Sequence, residues 1–246
     1  MTFTLAAAEA GAIEYTVPLA VFDAVPVVFS VLAYLTVARL LGTVSPQRAR
    51  LARWGVLLVG TGGAAKVVWK IVIAATATDI TWMDDLLFPF LAPGLLLLAG
   101  ALRAGAPDHP VRRTVVVAAA VLATAGILTT AGAPAAAEIL LLATLTAASI
   151  AIAVRLVAVA RASGDRVAAS LVVLNLVVAF VMVGLARVEQ SIALQWIEEV
   201  GNATAQAALF IAAGRLWQRH ADPLVRTRDA RGVRAVDRGE ATPVAF

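Results

Sequence analysis

Apolar runs of about 20 residues recur along the chain, and a helix of that length crosses about 30 Å of hydrocarbon. Seven can be placed, over approximately Val17 to Leu41, Trp54 to Ala75, Trp82 to Leu102, Arg113 to Ala131, Ala135 to Val157, Val167 to Ala186 and Ile192 to Leu216. The connections are short and rich in helix breakers, at Gly42 to Pro46, Gly105 to Pro110, Gly132 to Pro134 and Ser163 to Asp165. No run of polar sequence between them is long enough for a soluble domain. With 61% hydrophobic residues and a mean hydropathy of +0.89, the chain reads as an all-α integral membrane protein.

The composition also excludes chemistry. There is no cysteine, so disulfides, thiolate metal sites and cysteine nucleophiles are ruled out. The only histidines, His109 and His220, fall in a loop and the tail and read as solvated surface groups, so no haem or zinc centre and no other cofactor is expected. Met1 to Ala12 holds Glu9 but no Lys or Arg, so it lacks the basic start of a cleavable signal peptide and is expected to be retained.

Charge is sorted by side. With the N-terminus outside, Arg39, Arg48, Arg50, Arg53, Arg103, Arg112, Arg113, Arg155, Arg161, Arg166, Arg215 and Arg219 all fall on the cytoplasmic side, and only Lys66, Lys70 and Arg187 on the outer side. Glu9, Glu14, Asp23, Asp79, Asp84, Asp85, Glu138, Glu189, Glu198 and Glu199 do the reverse. The positive-inside rule therefore predicts an N-out, C-in topology, with the protein in the cytoplasmic membrane. Residues from about 219 to 246 turn polar and arginine-rich and are expected to form a disordered cytoplasmic tail. The net charge of +4 is thus a sum over two sides and does not imply nucleic acid.

A repeat is visible within the spans. Trp82, Asp84 and Asp85 align with Trp196, Glu198 and Glu199, each set opening a helix as Trp, apolar, acid, acid. Continued without a gap, the alignment pairs Gly100 with Gly214, and upstream Lys70 corresponds approximately to Arg187. Helices one to three, about residues 15–104, then repeat as five to seven, about 135–218, with a linker helix at about 110–132. An odd linker makes the two three-helix units parallel across the bilayer. This organisation resembles the SWEET sugar transporters and, more distantly, the microbial rhodopsins. The rhodopsin likeness implies a retinal-bearing lysine in helix seven, where this chain has Asn202, Thr204 and Gln206, so retinal is not expected. The SWEET likeness implies prolines in both repeats, whereas Pro26, Pro89 and Pro93 all lie in the first.

The only two lysines, Lys66 and Lys70, stand four apart inside the second span. They share a helix face and lie about 6 Å apart along it. Lys70, near the interface, can snorkel; Lys66 lies deeper, where an unpaired charge costs at least about 3 kcal/mol, and is expected at the centre of a charged cavity. Its expected partners are Asp23, or one acid from each of the pairs Asp84 and Asp85, and Glu198 and Glu199. Adjacent residues point about 100° apart on a helix, so only one of each pair can face the bundle. The acids also suit the positive ends of the helices they open. Trp82 and Asn202 complete the candidate cavity, with Glu138 and Arg187 at its rim. Pro89 and Pro93 should bend helix three just below its acidic pair.

These residues point first to a small-molecule or ion carrier with its site in the outer half of the bundle. A ligand-binding receptor, sensor or accessory membrane subunit is the alternative. An intramembrane enzyme ranks last, because no histidine cluster, Gly-x-Gly-Asp motif or Ser-x-x-Lys nucleophile is present. The partners implied are the lipid bilayer and a small-molecule or ion ligand, with a homo-oligomer left open.

Overall fold

The computed structural model of the chain describes residues 16–76, 78–103, 109–185, 188 and 191–221. Nine helical segments follow in order: α1 (Val17–Phe22), α2 (Ala24–Gly42), α3 (Pro46–Thr76), α4 (Thr81–Asp85), α5 (Leu87–Ala101), α6 (His109–Thr130), α7 (Pro134–Ala162), α8 (Arg166–Leu185) and α9 (Ile192–Ala221). They make seven helices, because α1 runs into α2 and α4 into α5. No strand occurs among the described residues.

The two interruptions have one cause. Proline has no N–H to give the carbonyl four residues back. Pro26 leaves Phe22 without that donor where α1 ends, and Pro89 does the same to Asp85 where α4 ends. The bend expected below the acidic pair is therefore a break at Leu86, while Pro93 stays inside α5. Pro46 has the opposite effect. Read in the sequence as part of a connection, it opens α3 about two turns before the expected start, behind a Ser45 whose hydroxyl accepts from the N–H of Arg48 at 3.4 Å.

Close approaches fix how the helices run. Space for a methyl group at Gly60 and Gly63 of α3 is taken by Val31 and Val27 of α2, and at Gly62 by Phe90 of α5. At Gly55 such a methyl would sit 2.6 Å from the Gly94 carbonyl. Rising numbers on α3 thus meet falling numbers on α2 and α5, so neighbours are antiparallel. Around the bundle α2, α3, α5, α7, α8 and α9 form a ring closed by α9 against α2, and α6 packs outside in the groove between α5 and α7. The core runs through Val37, Ala52, Val56, Leu98, Ile152, Leu156, Val172, Ala212 and Leu216.

Six of the seven helices are long and apolar enough to cross a membrane, and their outward faces remain apolar, as at Val116, Ile127, Val173 and Val177. Such a surface would be an aggregation hazard in water and is ordinary in lipid. The chain is accordingly a multi-pass membrane protein. The seventh helix, α9, has the length but falls short in apolarity, because Gln195, Glu198, Glu199, Asn202 and Gln206 lie along it. It also extends to Ala221, past the expected start of the tail. The rest of the tail lies outside the described residues.

Candidate functional site

The break at Asp23 sets one wall of the site. Asp23 sits between α1 and α2, 8% exposed, against the end of α3 that carries the lysines and the start of α9. Lys70 reaches it there: the Nζ lies 2.9 Å from Asp23 Oδ2 and donates to Glu199 Oε1 at 2.6 Å. All three side chains are buried. One ammonium therefore joins three elements, and does so where α9 closes the ring. Aromatic pairs flank the seam, Phe22 against Trp196 with ring centroids 5.6 Å apart and Phe29 stacked on Phe210 at 6.0 Å.

This reverses the roles expected of the two lysines. Lys66 is half-buried and makes no ion pair among the described residues, whereas Lys70, expected to snorkel, is 7% exposed. The reason is azimuth rather than depth. Lys70 continues the buried stripe Ala52, Val56, Val59, Gly63 and Val67 that faces α2 and the core. A step of four residues rotates about 40° around a helix, which puts Lys66 on the Gly55 and Gly62 side, towards α5. There its charge acts on Asp84 and on Asp23.

The other expected site residues divide. Asp84 is half-buried and Asp85 exposed, while Glu198 is half-buried and Glu199 buried. The more buried acid is the first of the pair on α4 and the second on α9. Trp82 is 61% exposed and apart from the cluster, whereas Trp196 packs at its edge. Asn202 is half-buried three residues beyond Glu199, and Glu138 is exposed at the start of α7. Arg187 lies outside the described residues. The deeper Asn175 donates its Nδ2 to the Ala205 carbonyl at 2.9 Å and so ties α8 to α9.

The charged atoms form a closed contact, not an open polar cavity. Two surface grooves, one of about 410 Å³ along α8 at Arg166 to Leu174 and one of about 550 Å³ between α8 and α9 at Val178 to Gly201, are apolar and apart from the cluster. Several oxygens at the seam nonetheless lack a hydrogen-bond donor among the described residues: Asp23 Oδ2, Glu199 Oε2, and the Oε1 atoms of Gln195 and Gln206. Gln195, Glu199 and Gln206 recur at steps of four and seven, so they share one face of α9. Buried acceptors without donors are rare and call for an explanation.

A second cluster went unread in the sequence. At the opposite end of the bundle Asp165 is 1% exposed, capped by Arg215 Nε at 3.1 Å and Arg219 Nε at 2.9 Å from Oδ2. Gly164, at φ +69°, turns the chain out of α7, and Asp165 Oδ1 accepts from the Ala168 N–H at 2.9 Å to cap α8. Burial would raise this carboxyl, but the Ala168 N–H and the Arg215 and Arg219 guanidiniums outweigh it and hold it below the usual aspartate range. The Gly-Asp turn before a helix was a legible cap signal; its arginine partners, 50 residues on, were not. His220, expected in the tail, lies in the last turn of α9 with its Nδ1 2.8 Å from the Leu216 carbonyl. No protein-family model, no curated protein and no solved structure matches the chain, and what its site does rests on the chemistry just described.

Proposed function

We propose that the protein is a small-molecule or ion carrier of the cytoplasmic membrane, with Lys70, Asp23 and Glu199 as its charged centre. The observation that carries this reading is one buried ammonium shared by two carboxylates at the seam where α9 meets α2 and α3. Ionisable groups at membrane depth are costly and usually mark a substrate or ion path. Oxygens left without donors at the same seam belong to a site that exchanges a partner during its working cycle. In this reading the closed cluster is the occluded form, and the breaks at Asp23 and Leu86 are the hinges through which it opens.

The reading includes seven spans, with α9 crossing among the other helices rather than in contact with lipid on all sides, and an N-out, C-in orientation. Arginines of α2, α3, α6, α7, α8 and α9, with Arg103 just after α5, then share the cytoplasmic end. It also includes the parallel repeat. The ring order α2, α3, α5, α7, α8, α9 is the one a two-fold exchange of the first three helices with the last three would give. The likeness to SWEET proteins is proposed at this level of architecture.

Uptake into proteoliposomes, with and without a pH gradient, tests the carrier reading. Solute or charge movement abolished by Lys70→Met is the expected result. A wild-type protein that moves neither protons, ions nor small solutes would end it. The apolar groove between α8 and α9 favours one second reading, a sensor or accessory subunit that takes an apolar chain or a partner helix there.

A further inference from the structure

The Lys70 cluster does not balance. Two carboxylates share one ammonium, so with all three groups ionised the buried set carries a net negative charge away from water. Among the described residues Oδ2 of Asp23, although 2.9 Å from Lys70 Nζ, has no aligned donor, and Glu199 Oε2 has no donor. Both carboxyls meet the same Nζ, at 2.9 and 2.6 Å, which draws them against each other. Carboxylates that close cannot both stay ionised, because each is repelled by the other where little water screens them. One proton removes the net charge and supplies the missing donor together.

We propose that Glu199 is a reversible proton-binding site, which holds its proton in the closed bundle and donates it to the Asp23 carboxylate. The inference rests on the cluster being the working site of the protein, and it names the species bound there. Glu199 is the holder for two reasons. Aspartate is intrinsically the stronger acid, and the charge of Lys66 acts on Asp23 as it does on Asp84. Among the described residues the remaining charged neighbours do not supply a competing cation: α4 brings Asp84 and Asp85, the turn before it Asp79, and α9 Glu198. A metal cation is disfavoured because the Lys70 ammonium already occupies the space between the carboxylates, and no group of three metal-ligating side chains occurs among the described residues. Gln195, one turn before Glu199 on the same face and 7% exposed, adds an acceptor without a donor on the route to the helix end. On opening, the proton passes from Glu199 to water, while Lys70 keeps its three hydrogens and Asp23 its charge.

Infrared spectroscopy of the full chain in vesicles of phosphatidylethanolamine and phosphatidylglycerol tests this. A protonated-carboxyl C=O band is expected at neutral pH, shifted in D₂O, lost reversibly as pH is raised, moved by carbon-13 labelling of glutamate and not of aspartate, absent in Glu199→Gln and present in Glu198→Gln. If Glu199→Gln does not fold, the glutamate label on the wild type still decides. The proposal is overturned if the wild type shows no such band at neutral pH, if the band follows the aspartate label, if it persists in Glu199→Gln, or if sodium alone, at fixed pH, displaces it. A band that behaves as expected in a protein that transports nothing would remove the carrier reading and leave the proton site standing.

Discussion

The two ends of the bundle solve the same problem with opposite signs. At one, a lysine is held between two acids, Lys70 with Asp23 and Glu199; at the other, an acid is held between two arginines, Asp165 with Arg215 and Arg219. The Asp165 cluster is complete. Its carboxylate accepts from a backbone N–H and both guanidiniums, and the arginine side chains are 38% and 44% exposed, so their charge is shared with water. The Lys70 cluster is not: every member is buried and two of its four carboxylate oxygens lack a donor among the described residues. A set of charges that only fastens helices is expected to satisfy its hydrogen bonds, as Asp165 does. The incomplete set is where a function should be sought. Both clusters end on α9, so the least apolar helix is pinned by charge at each end.

The largest effect should come from Lys70→Met, which leaves two acids buried without their cation. A loss of about 3 to 5 kcal/mol is expected, read as a lowered thermal midpoint in detergent or nanodiscs. Adding Asp23→Asn, which removes the carboxylate left ionised, should return much of the stability while transport stays lost. If Lys66→Met were the more damaging of the two lysine changes, the assignment of the buried cation would be wrong.

Asp165→Ala comes next, with about 1 kcal/mol from the lost helix cap and little more from half-exposed ion pairs. Asparagine caps about as well as aspartate, so Asp165→Asn should cost less than Asp165→Ala. Equal losses would mean that the arginine pairs, not the cap, carry the stability. Transport should survive both changes.

Acid provides a finer contrast. Because the folded Asp165 carboxyl lies below its unfolded value of about 3.9, its contribution is fully present above that value. It is lost as pH falls further, through the lower folded pKa. Acid unfolding of Asp165→Asn should therefore show a shallower dependence below about pH 4 than the wild type; an unchanged profile would remove this carboxyl from the account. The smallest effect expected is Lys66→Met, within about 1 kcal/mol, since a half-buried ammonium makes no ion pair among the described residues.

Much of this architecture was legible because lipid imposes it. Apolar length located each helix though not all of its ends, and the break before Pro89 followed from the missing N–H of proline. Where the reading missed, as at the start of α3, a proline stood at a helix N-terminus, which looks the same in sequence as a proline in a turn. The Trp-x-acid-acid motif named Glu199 among four acids without ranking them, and it did not include Asp23. Asp85 aligns with Glu199, yet one is exposed and the other buried. Gly100 aligns with Gly214, yet Thr114 crowds the first and nothing approaches the second.

The sequence by itself determined that this chain is helical, that its helices suit a membrane, and that lysine, aspartate and glutamate near one end of the bundle are its unusual residues. Hydropathy and spacing are local properties, and a bilayer reads them directly. Only the tertiary structure decided that Lys70 and not Lys66 meets Asp23 and Glu199, and that Asp165 meets Arg215 and Arg219. Those choices depend on the rotation of each helix about its own axis. A 40° difference separates a buried charge from a half-exposed one, and packing at Gly55, Gly62 and Gly63 sets that rotation, which no property of a single helix reveals.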